Sequence, residues 1–183
     1  FLDGLCSKLG IRWFASVLDE PSFRFIQQFD PELIKLPSTI SEHTDYLATV
    51  AREYKRGIVL STGMTDQDYE NWVLETFTSC DKLYLMQCNS AYPTPTHDCN
   101  VGVIRHYRAL SKQPPHVVPG YSSHDFGAMA SAMAVAAGAR IVEKHVKLGN
   151  TEWAHFDAVA LDLTTSEFVD YVAAVREAEA IVG

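Results

Sequence analysis

The chain has 183 residues, of which 47% are hydrophobic and 21% are charged, a balance that fits a folded domain with a sizeable core and excludes a disordered protein. Its formal net charge of −8, from 15 basic and 23 acidic residues, argues against a nucleic-acid partner. The longest apolar stretch, residues 128–139, is well short of the ~20 residues that a membrane-spanning helix needs, so no membrane partner is expected.

The chain begins with neither an initiator Met nor a secretory leader, and residues 1–5 have the pattern of a helix interior. We therefore interpret it as an excised or incomplete piece of a longer protein. The four cysteines have neither the spacing of a zinc site nor the density of a disulfide scaffold. A reducing, cytoplasmic location is the resulting expectation.

Short apolar runs rich in β-forming residues alternate with segments whose apolar residues recur every three or four positions, which predicts an α/β fold. The runs recur at roughly 25 to 35 residues, the length of a βα unit. Residues 57–62 are almost entirely apolar, as expected of a parallel strand buried on both faces. The predicted strands are residues 11–18, 33–37, 57–62, 82–88, 117–121 and 141–148.

Helices are predicted between these strands. Asp19, which precedes a Glu-Pro-Ser sequence, and Asp66 are the expected N-caps of two of them. Residues 126–138 are mostly Ala, Met and Gly, which predicts a helix that packs closely on the sheet, and a last helix is expected to begin at Thr164.

Six βα units fit two architectures, an open doubly wound sheet or part of a TIM (β/α)8-type barrel, which needs eight units and about 250 residues. An open sheet that binds a dinucleotide has a G-x-G-x-x-G turn, and this sequence contains none. The unit count leaves both architectures open. In either one, ligands bind beyond the carboxyl ends of the strands, where this sequence is unusually polar.

Two histidines at neighbouring strand ends indicate a metal site. His124 follows the fifth predicted strand and His145 lies in the second half of the sixth, and two neutral imidazoles suit a divalent cation with open positions for substrate and water. Glu143 is a further candidate, either as a ligand or as support for an imidazole. The alternative is that His145 and Glu143 belong to an internal ion pair.

A lysine and several hydroxyl groups indicate an anion site. Lys35 lies at the end of a buried strand, where a bound anion would offset the loss of its hydration. The alternative is that Lys35 reaches out to solvent at the rim. Hydroxyl donors for a phosphate or carboxylate are available at Ser16, Ser38, Ser61, Ser90 and Ser122.

The remaining cysteines and histidines carry weaker signals. Cys88 and Cys99 have no His placed as an obvious base, and a cysteine in a strand is usually a small hydrophobic residue. Surface positions are expected for His43, His97, His106, His116 and His155.

An ordered set of motifs resembles the sialic acid (N-acetylneuraminate) synthase family, including its spore-coat polysaccharide synthase relatives. The motifs are Lys35-Leu-Pro-Ser, Leu60-Ser-Thr-Gly-Met, Gln87-Cys-Asn-Ser-Ala-Tyr-Pro, Gly120-Tyr-Ser-Ser-His, Glu143-Lys-His and Leu161-Asp. The resemblance implies a TIM barrel, of which this chain covers strands three to eight. It also implies a transferase that condenses phosphoenolpyruvate with an N-acetylated amino sugar, such as N-acetylmannosamine, and releases phosphate.

The resemblance also implies roles for individual residues. His124 and His145 would bind Mn²⁺ or Mg²⁺, Lys35 and Glu143 would be catalytic, and Tyr92 and Asp157 would contact the sugar. The phosphoenolpyruvate pocket would be lined by Ser16, Lys35, Ser38, Ser61, Ser90 and Ser122. Three positions depart from the family, which has carboxylates where this chain has Ile40, Ser123 and Phe156.

The family has two earlier barrel strands, with an active-site Glu and a second Lys, and a C-terminal domain. The resemblance therefore implies that residues 1–183 are one partial barrel domain, that the complete protein is a homodimer, and that this chain alone is inactive. Two alternatives remain: a non-catalytic barrel that binds a sugar or an anion, and a related metal-dependent aldolase that acts on a sugar phosphate. The aldolase would need a second basic cluster, which the sequence does not contain.

Overall fold

A five-stranded parallel sheet forms the centre of the fold in the computed structural model, which describes residues 1–112 and 116–183. Its neighbouring strands follow one another in chain order, as in a barrel. A second parallel sheet pairs β6 (Val146–Lys147) with β7 (Leu161–Asp162). The strands of the large sheet are β1 (Leu33–Leu36), β2 (Gly57–Ser61), β3 (Lys82–Gln87), β4 (Val117–Ser123) and β5 (Ile141–Lys144).

Helices alternate with the strands, and most of them pack on the sheet, whereas the first helix precedes all the strands and has no buried residue. The expected caps are confirmed, because the Asp19 carboxylate accepts from the Ser22 N–H at 2.8 Å and the Asp66 carboxylate accepts from the Tyr69 N–H at 3.0 Å. The helices are α1 (Leu2–Leu9), α2 (Glu20–Gln27), α3 (Thr44–Glu53), α4 (Gln67–Thr76), α5 (Val103–Leu110), α6 (Met129–Ala137) and α7 (Glu167–Val182). Within the described residues, no helix is both long and apolar enough to cross a bilayer.

The sheet is curled, because two residues on its outermost strands touch. Lys35 on β1 and Glu143 on β5 form an ion pair at 2.6 Å, although four strand spacings separate β1 from β5. In a flat sheet these strands would lie about 19 Å apart, beyond the combined reach of the two side chains. The curl defines an incomplete parallel α/β barrel whose interior holds both residues.

The main core lies between the sheet and its helices. Every residue of β2 is buried, which confirms the prediction of a strand covered on both faces. Against the sheet pack apolar residues from α2, α3 and α4, which are spaced three or four apart on each helix. The largest fully buried side chains of this core are Phe23, Ile34, Leu36, Leu47, Ile58, Leu60, Phe77, Leu83 and Leu85.

Four elements differ from the sequence predictions, one of them the helix expected at residues 126–138, which begins at Met129. The strand expected at residues 11–18 is reduced to an isolated bridge between Ser16 and Lys35, because only its last residues pair with β1. The strand expected at 141–148 divides at His145 into β5 and β6, which join different sheets. The last helix begins at Glu167 instead of Thr164, since the Asp162 carboxylate holds the Thr164 N–H in a turn.

Candidate active site

A cavity of about 260 Å³ opens at the carboxyl ends of the strands. It brings most of the predicted site residues to one place. Those that line it are Ser16, Lys35, Ser38, Ser61, Tyr92, Ser122, His124, Glu143 and His145. Ser90 lies at its edge, with its hydroxyl 3.4 Å from that of Ser38.

Asp157 has a different environment from the one expected of a sugar contact. Its side chain is buried, and one carboxylate oxygen accepts from the backbone N–H groups of Trp153 and Ala154 at 2.7 and 3.0 Å. It is the third residue of the 3-10 helix His155–Val159, it stabilises the start of that helix, and it does not line the cavity. Its carboxylate accepts from the backbone N–H of the N-cap residue Ala154, as the third residue of a helix does in a capping box.

Lys35 and Glu143 form the charged centre of the cavity. Lys35 is only 4% exposed, so the alternative that it reaches out to solvent is wrong. Its ammonium lies 2.6 and 2.7 Å from the two carboxylate oxygens of Glu143, and the Ser122 hydroxyl donates to one of them at 2.7 Å. Burial acts to raise the pKa of Glu143, but the Lys35 charge and these hydrogen bonds outweigh it and hold the pKa below its ordinary value.

The two candidate metal ligands lie side by side, with the ring centroids of His124 and His145 5.4 Å apart. The Nδ1 atom of His124 is 2.5 Å from the Asn89 carbonyl oxygen. Because a carbonyl can only accept, Nδ1 carries the proton and Nε2 keeps its lone pair. The Tyr92 hydroxyl donates to that lone pair at 3.0 Å.

Burial favours the neutral form of both imidazoles. It lowers the pKa of His124 to about 4 and also lowers the pKa of His145. The neutral ring is the form that binds a metal ion. Across residues 1–112 and 116–183, no three His, Cys, Asp or Glu side chains are grouped to hold a metal. The donor chemistry fits a two-imidazole site whose other positions are taken by substrate or water.

Aromatic side chains cover the imidazole pair. The ring of Tyr92 stacks on His124 at 4.0 Å, and the ring of Phe156 stacks on His145 at 5.0 Å. His155 meets Tyr92 edge-on at 4.9 Å. The predicted surface position of His155 is confirmed, since its side chain is exposed, but its ring also packs against Tyr92 and Phe156 at the site. One sequence feature could have indicated that His155 lies at the site: it is next to Phe156, in a segment where the chain departs from the family.

The opposite wall of the cavity is built from hydroxyl groups. Ser61 is buried, and its hydroxyl makes no hydrogen bond within the described part of the chain, so it is available to an anion. Burial raises the pKa of the neighbouring Cys88 thiol, in agreement with the prediction that this residue is not a nucleophile.

The backbone of Gly63 lies close to the Ser38 side chain, since a Cβ atom on Gly63 would lie 2.7 Å from the Cβ atom of Ser38.

Hydroxyls, a buried lysine and paired imidazoles thus lie at the carboxyl edge of an incomplete TIM-type barrel, the edge at which enzymes of this fold bind their ligands. The NeuB family model matches residues 2–183, and the chain belongs to the NeuB family. This finding confirms the resemblance inferred from the motifs.

Individual relatives agree with this family. The pseudaminic acid synthase of Campylobacter jejuni is 33% identical over 177 residues, which are 95% of this chain and 49% of that protein. The N-acetylneuraminate-9-phosphate synthase of Mus musculus is 32% identical over 183 residues, which are 100% of this chain and 49% of that protein. The chain therefore spans about half the length of the curated relatives it matches.

A solved structure supports the same architecture. The sialic acid synthetase of Leptospira borgpetersenii, crystallised with citrate, superposes with a TM-score of 0.87 over 100% of this chain and 62% of that one. At 24% sequence identity, the likeness establishes the fold alone. The chain is part of a TIM-type barrel, as the resemblance implied.

Proposed function

We propose that the whole protein, as its gene encodes it, condenses phosphoenolpyruvate with an N-acetylated amino sugar to form a nonulosonic acid and release phosphate. The observation that carries the proposal is the meeting, in one cavity, of the Lys35–Glu143 pair with the imidazoles of His124 and His145. The Lys35–Glu143 pair suits an anionic substrate, and the two imidazoles, with a metal ion, suit the polarisation of an aldehyde.

Lys35 binds the anionic groups of phosphoenolpyruvate in this proposal. In the free chain Glu143 holds the Lys35 ammonium inside the cavity, so an anion that enters competes with Glu143 for it. The hydroxyls of Ser16, Ser38, Ser61, Ser90 and Ser122 donate further hydrogen bonds to the phosphate and carboxylate. These donors are already oriented, which reduces the cost of stabilising charge that develops during the reaction.

His124 and His145 hold the divalent cation, Mn²⁺ or Mg²⁺. When bound, the cation supplies a Lewis acid for the sugar aldehyde. The Asn89 carbonyl keeps the His124 Nε2 lone pair directed into the cavity, and Tyr92 lies over the same ring, where it can contact the sugar. The rings of Tyr92, His155 and Phe156, which pack around the imidazoles, restrict water around the reacting atoms.

The test is phosphate release by the whole protein, supplied with phosphoenolpyruvate, Mn²⁺ and a panel of N-acetylated hexosamines. We expect turnover with at least one sugar, a loss of at least about 100-fold in kcat/KM for Lys35→Met and His124→Ala, and none for the exposed control His43→Ala. Residues 1–183 alone should release no phosphate in this assay. Absence of phosphate release with every sugar would contradict the proposal.

The second candidate is a barrel that binds a sugar or anion without turnover. It is favoured by apolar side chains at two positions where the family has carboxylates: Ile40 is 3% exposed, and Phe156 stacks on His145. This candidate predicts that calorimetry detects binding of phosphoenolpyruvate to a protein that forms no product. Multiple turnover in the phosphate assay excludes it.

A further inference from the structure

Lys144, the residue before His145, lines the cavity but has no part in the proposed function. It is the last residue of β5 and lies opposite Ser123, the last residue of β4. Its ammonium donates to the Ser123 hydroxyl at 3.0 Å and to the backbone carbonyl oxygen of Asp125. These two partners lie immediately before and immediately after His124.

A buried carboxylate, that of Asp125, is hydrogen-bonded to the same serine hydroxyl as this lysine. Asp125 is 6% exposed, and one of its carboxylate oxygens accepts from the Ser123 hydroxyl at 2.8 Å and from the Tyr121 hydroxyl at 2.9 Å. Ser123 thus accepts from Lys144 and donates to Asp125, so its single hydroxyl satisfies both partners. Ser123, where the family has a carboxylate, is therefore connected to a carboxylate two residues later.

The ammonium of Lys144 is directed away from the open cavity. It lies 5.9 Å from the ring centroid of Tyr171 on α7, whose hydroxyl is 2.6 Å from that of Ser131 on α6. Lys144 therefore connects the ends of β4 and β5 to the helices behind them. A residue held in this way is poorly placed to bind a substrate anion.

The hydrogen bonds of Lys144 lie directly beside the two candidate metal ligands. Both strands end at the Ser123–Lys144 pair, and His124 and His145 are the next residues, beyond the last strand pairing. The His124 carbonyl accepts from the Thr94 N–H at 2.8 Å and the His145 carbonyl accepts from the Leu161 N–H at 2.9 Å, but neither of these hydrogen bonds links one histidine segment to the other. The Lys144 hydrogen bonds fix both ends at once.

We propose that Lys144 is a positioning residue, which acts through Ser123 and the Asp125 backbone to hold the two imidazoles at the separation that a divalent cation requires. The inference rests on the metal site of the proposed function. Removing a residue that hydrogen-bonds to a metal ligand and orients it commonly lowers the metal affinity by about 10- to 100-fold.

The test measures binding of Mn²⁺ alone, without substrates, to the whole protein by the electron paramagnetic resonance signal of the free ion. We expect Lys144→Met to raise the Kd for Mn²⁺ by about 10-fold or more and Lys144→Arg to recover part of that loss. Lys55→Met is the matched control, because Lys55 also donates to one backbone carbonyl, of Ala51, and one serine hydroxyl, of Ser79, remote from the cavity. It should leave the Kd within about twofold of the original value.

Ser123→Ala keeps the test decisive if Lys144→Met does not fold. It removes only the hydroxyl between Lys144 and Asp125, and we expect it to raise the Kd for Mn²⁺ by a factor of about 3 to 10. A folded Lys144→Met protein with unchanged affinity would overturn the inference, as would an equal loss in Lys55→Met. If the unmodified protein binds no Mn²⁺, the proposed metal site itself fails. If it binds Mn²⁺ and releases phosphate while Lys144→Met binds equally well, only the role of Lys144 fails.

Discussion

The protonation state of His124 is decided by its immediate neighbours. The Asn89 carbonyl accepts from Nδ1, and burial lowers the pKa of the ring to about 4, so Nε2 is free of a proton at neutral pH. Two exposed imidazoles, each with a pKa near 6.5, would instead be largely protonated at pH 6.0. The pH range in which a metal can bind therefore extends lower than for exposed histidines.

Affinity for Mn²⁺ should accordingly depend less on pH in this range than it would with two exposed histidines. We expect the Kd to rise between pH 7.5 and pH 6.0 by less than the about 4-fold that a single imidazole with an ordinary pKa would cause, whereas two such imidazoles would cause a rise of about 10-fold or more. Binding of Mn²⁺ measured by calorimetry at both pH values checks this. A loss of 10-fold would indicate that burial does not keep His124 and His145 neutral.

Tyr92 and a metal ion compete for the same lone pair. The Tyr92 hydroxyl donates to Nε2 of His124, and removal of that hydrogen bond leaves the ring stacking in place. We expect Tyr92→Phe to lower the Kd for Mn²⁺ by a factor of about 2 to 10, the equivalent of one modest hydrogen bond. Tyr54→Phe, which loses a hydrogen bond to the distant Pro31 carbonyl, is the control. A raised Kd in Tyr92→Phe would instead make the hydroxyl a ligand.

At the scale of elements, the turn after β2 forms one wall of the anion pocket. Gly63 has a φ of +68°, and a side chain there would meet both Ser38 and Ser90. The contact brings the ends of β1, β2 and β3 together, which places their hydroxyls within reach of one anion. Only a residue without a Cβ atom permits this approach.

Gly63→Ala tests whether that close approach matters. Gly127 is a matched control, since its φ is +69° and nothing lies within 4 Å of the Cβ position. Both changes carry the same left-handed backbone penalty of about 1 kcal/mol. We expect Gly63→Ala to lose a further 1–3 kcal/mol, roughly, in urea unfolding and to weaken phosphoenolpyruvate binding. Equal losses in the two variants would show that the contact with Ser38 is unimportant.

At the scale of the whole molecule, the Lys35–Glu143 pair joins the two outermost strands of the curled sheet. The two partners differ in their surroundings: the Lys35 side chain is 6% exposed, and that of Glu143 is 35% exposed because it opens to the cavity. Water can replace Lys35 at the carboxylate more easily than it can replace Glu143 at the ammonium. Loss of either partner should therefore have unequal consequences.

We expect Glu143→Met to lower the free energy of unfolding by about 3 kcal/mol and Lys35→Met by about 1–2 kcal/mol, because the first leaves a buried ammonium without a partner. The double variant should lose less than the sum of the two. Urea unfolding at pH 7 of the four proteins measures this. Additive losses would mean that the two groups do not interact.

The same pair sets a direction for the pH dependence of stability. The pKa of Glu143 is lower in the folded chain than its ordinary value of 4.5, so the folded state favours the ionised carboxylate. Its contribution to stability is complete above pH 4.5 and is lost as the pH falls through the lowered pKa. Urea unfolding between pH 7 and pH 3 should show this loss in the original protein, and Glu143→Met should lack it. An equal acid-dependent loss in both would assign it to other groups.

Much of this chain is encoded locally. Periodicity gave β1 to β4 to within two residues at each end, and the caps Asp19 and Asp66 mark where two helices begin. Local pattern also placed Lys35, His124 and His145 at strand ends, because the carboxyl ends of parallel strands meet at one edge. A strand or cap depends on neighbours within a few residues, so the sequence alone determines it.

The tertiary structure decided what these side chains do. Curling of the sheet paired Lys35 with Glu143, 108 residues away, and excluded its exposure to solvent. Packing divided the last predicted strand at His145, brought His155 to Tyr92, and directed the Asp157 carboxylate to the backbone N–H groups that precede its own helix. Each outcome depends on which distant atoms become neighbours once the strands close around a common interior, and no local pattern contains that information.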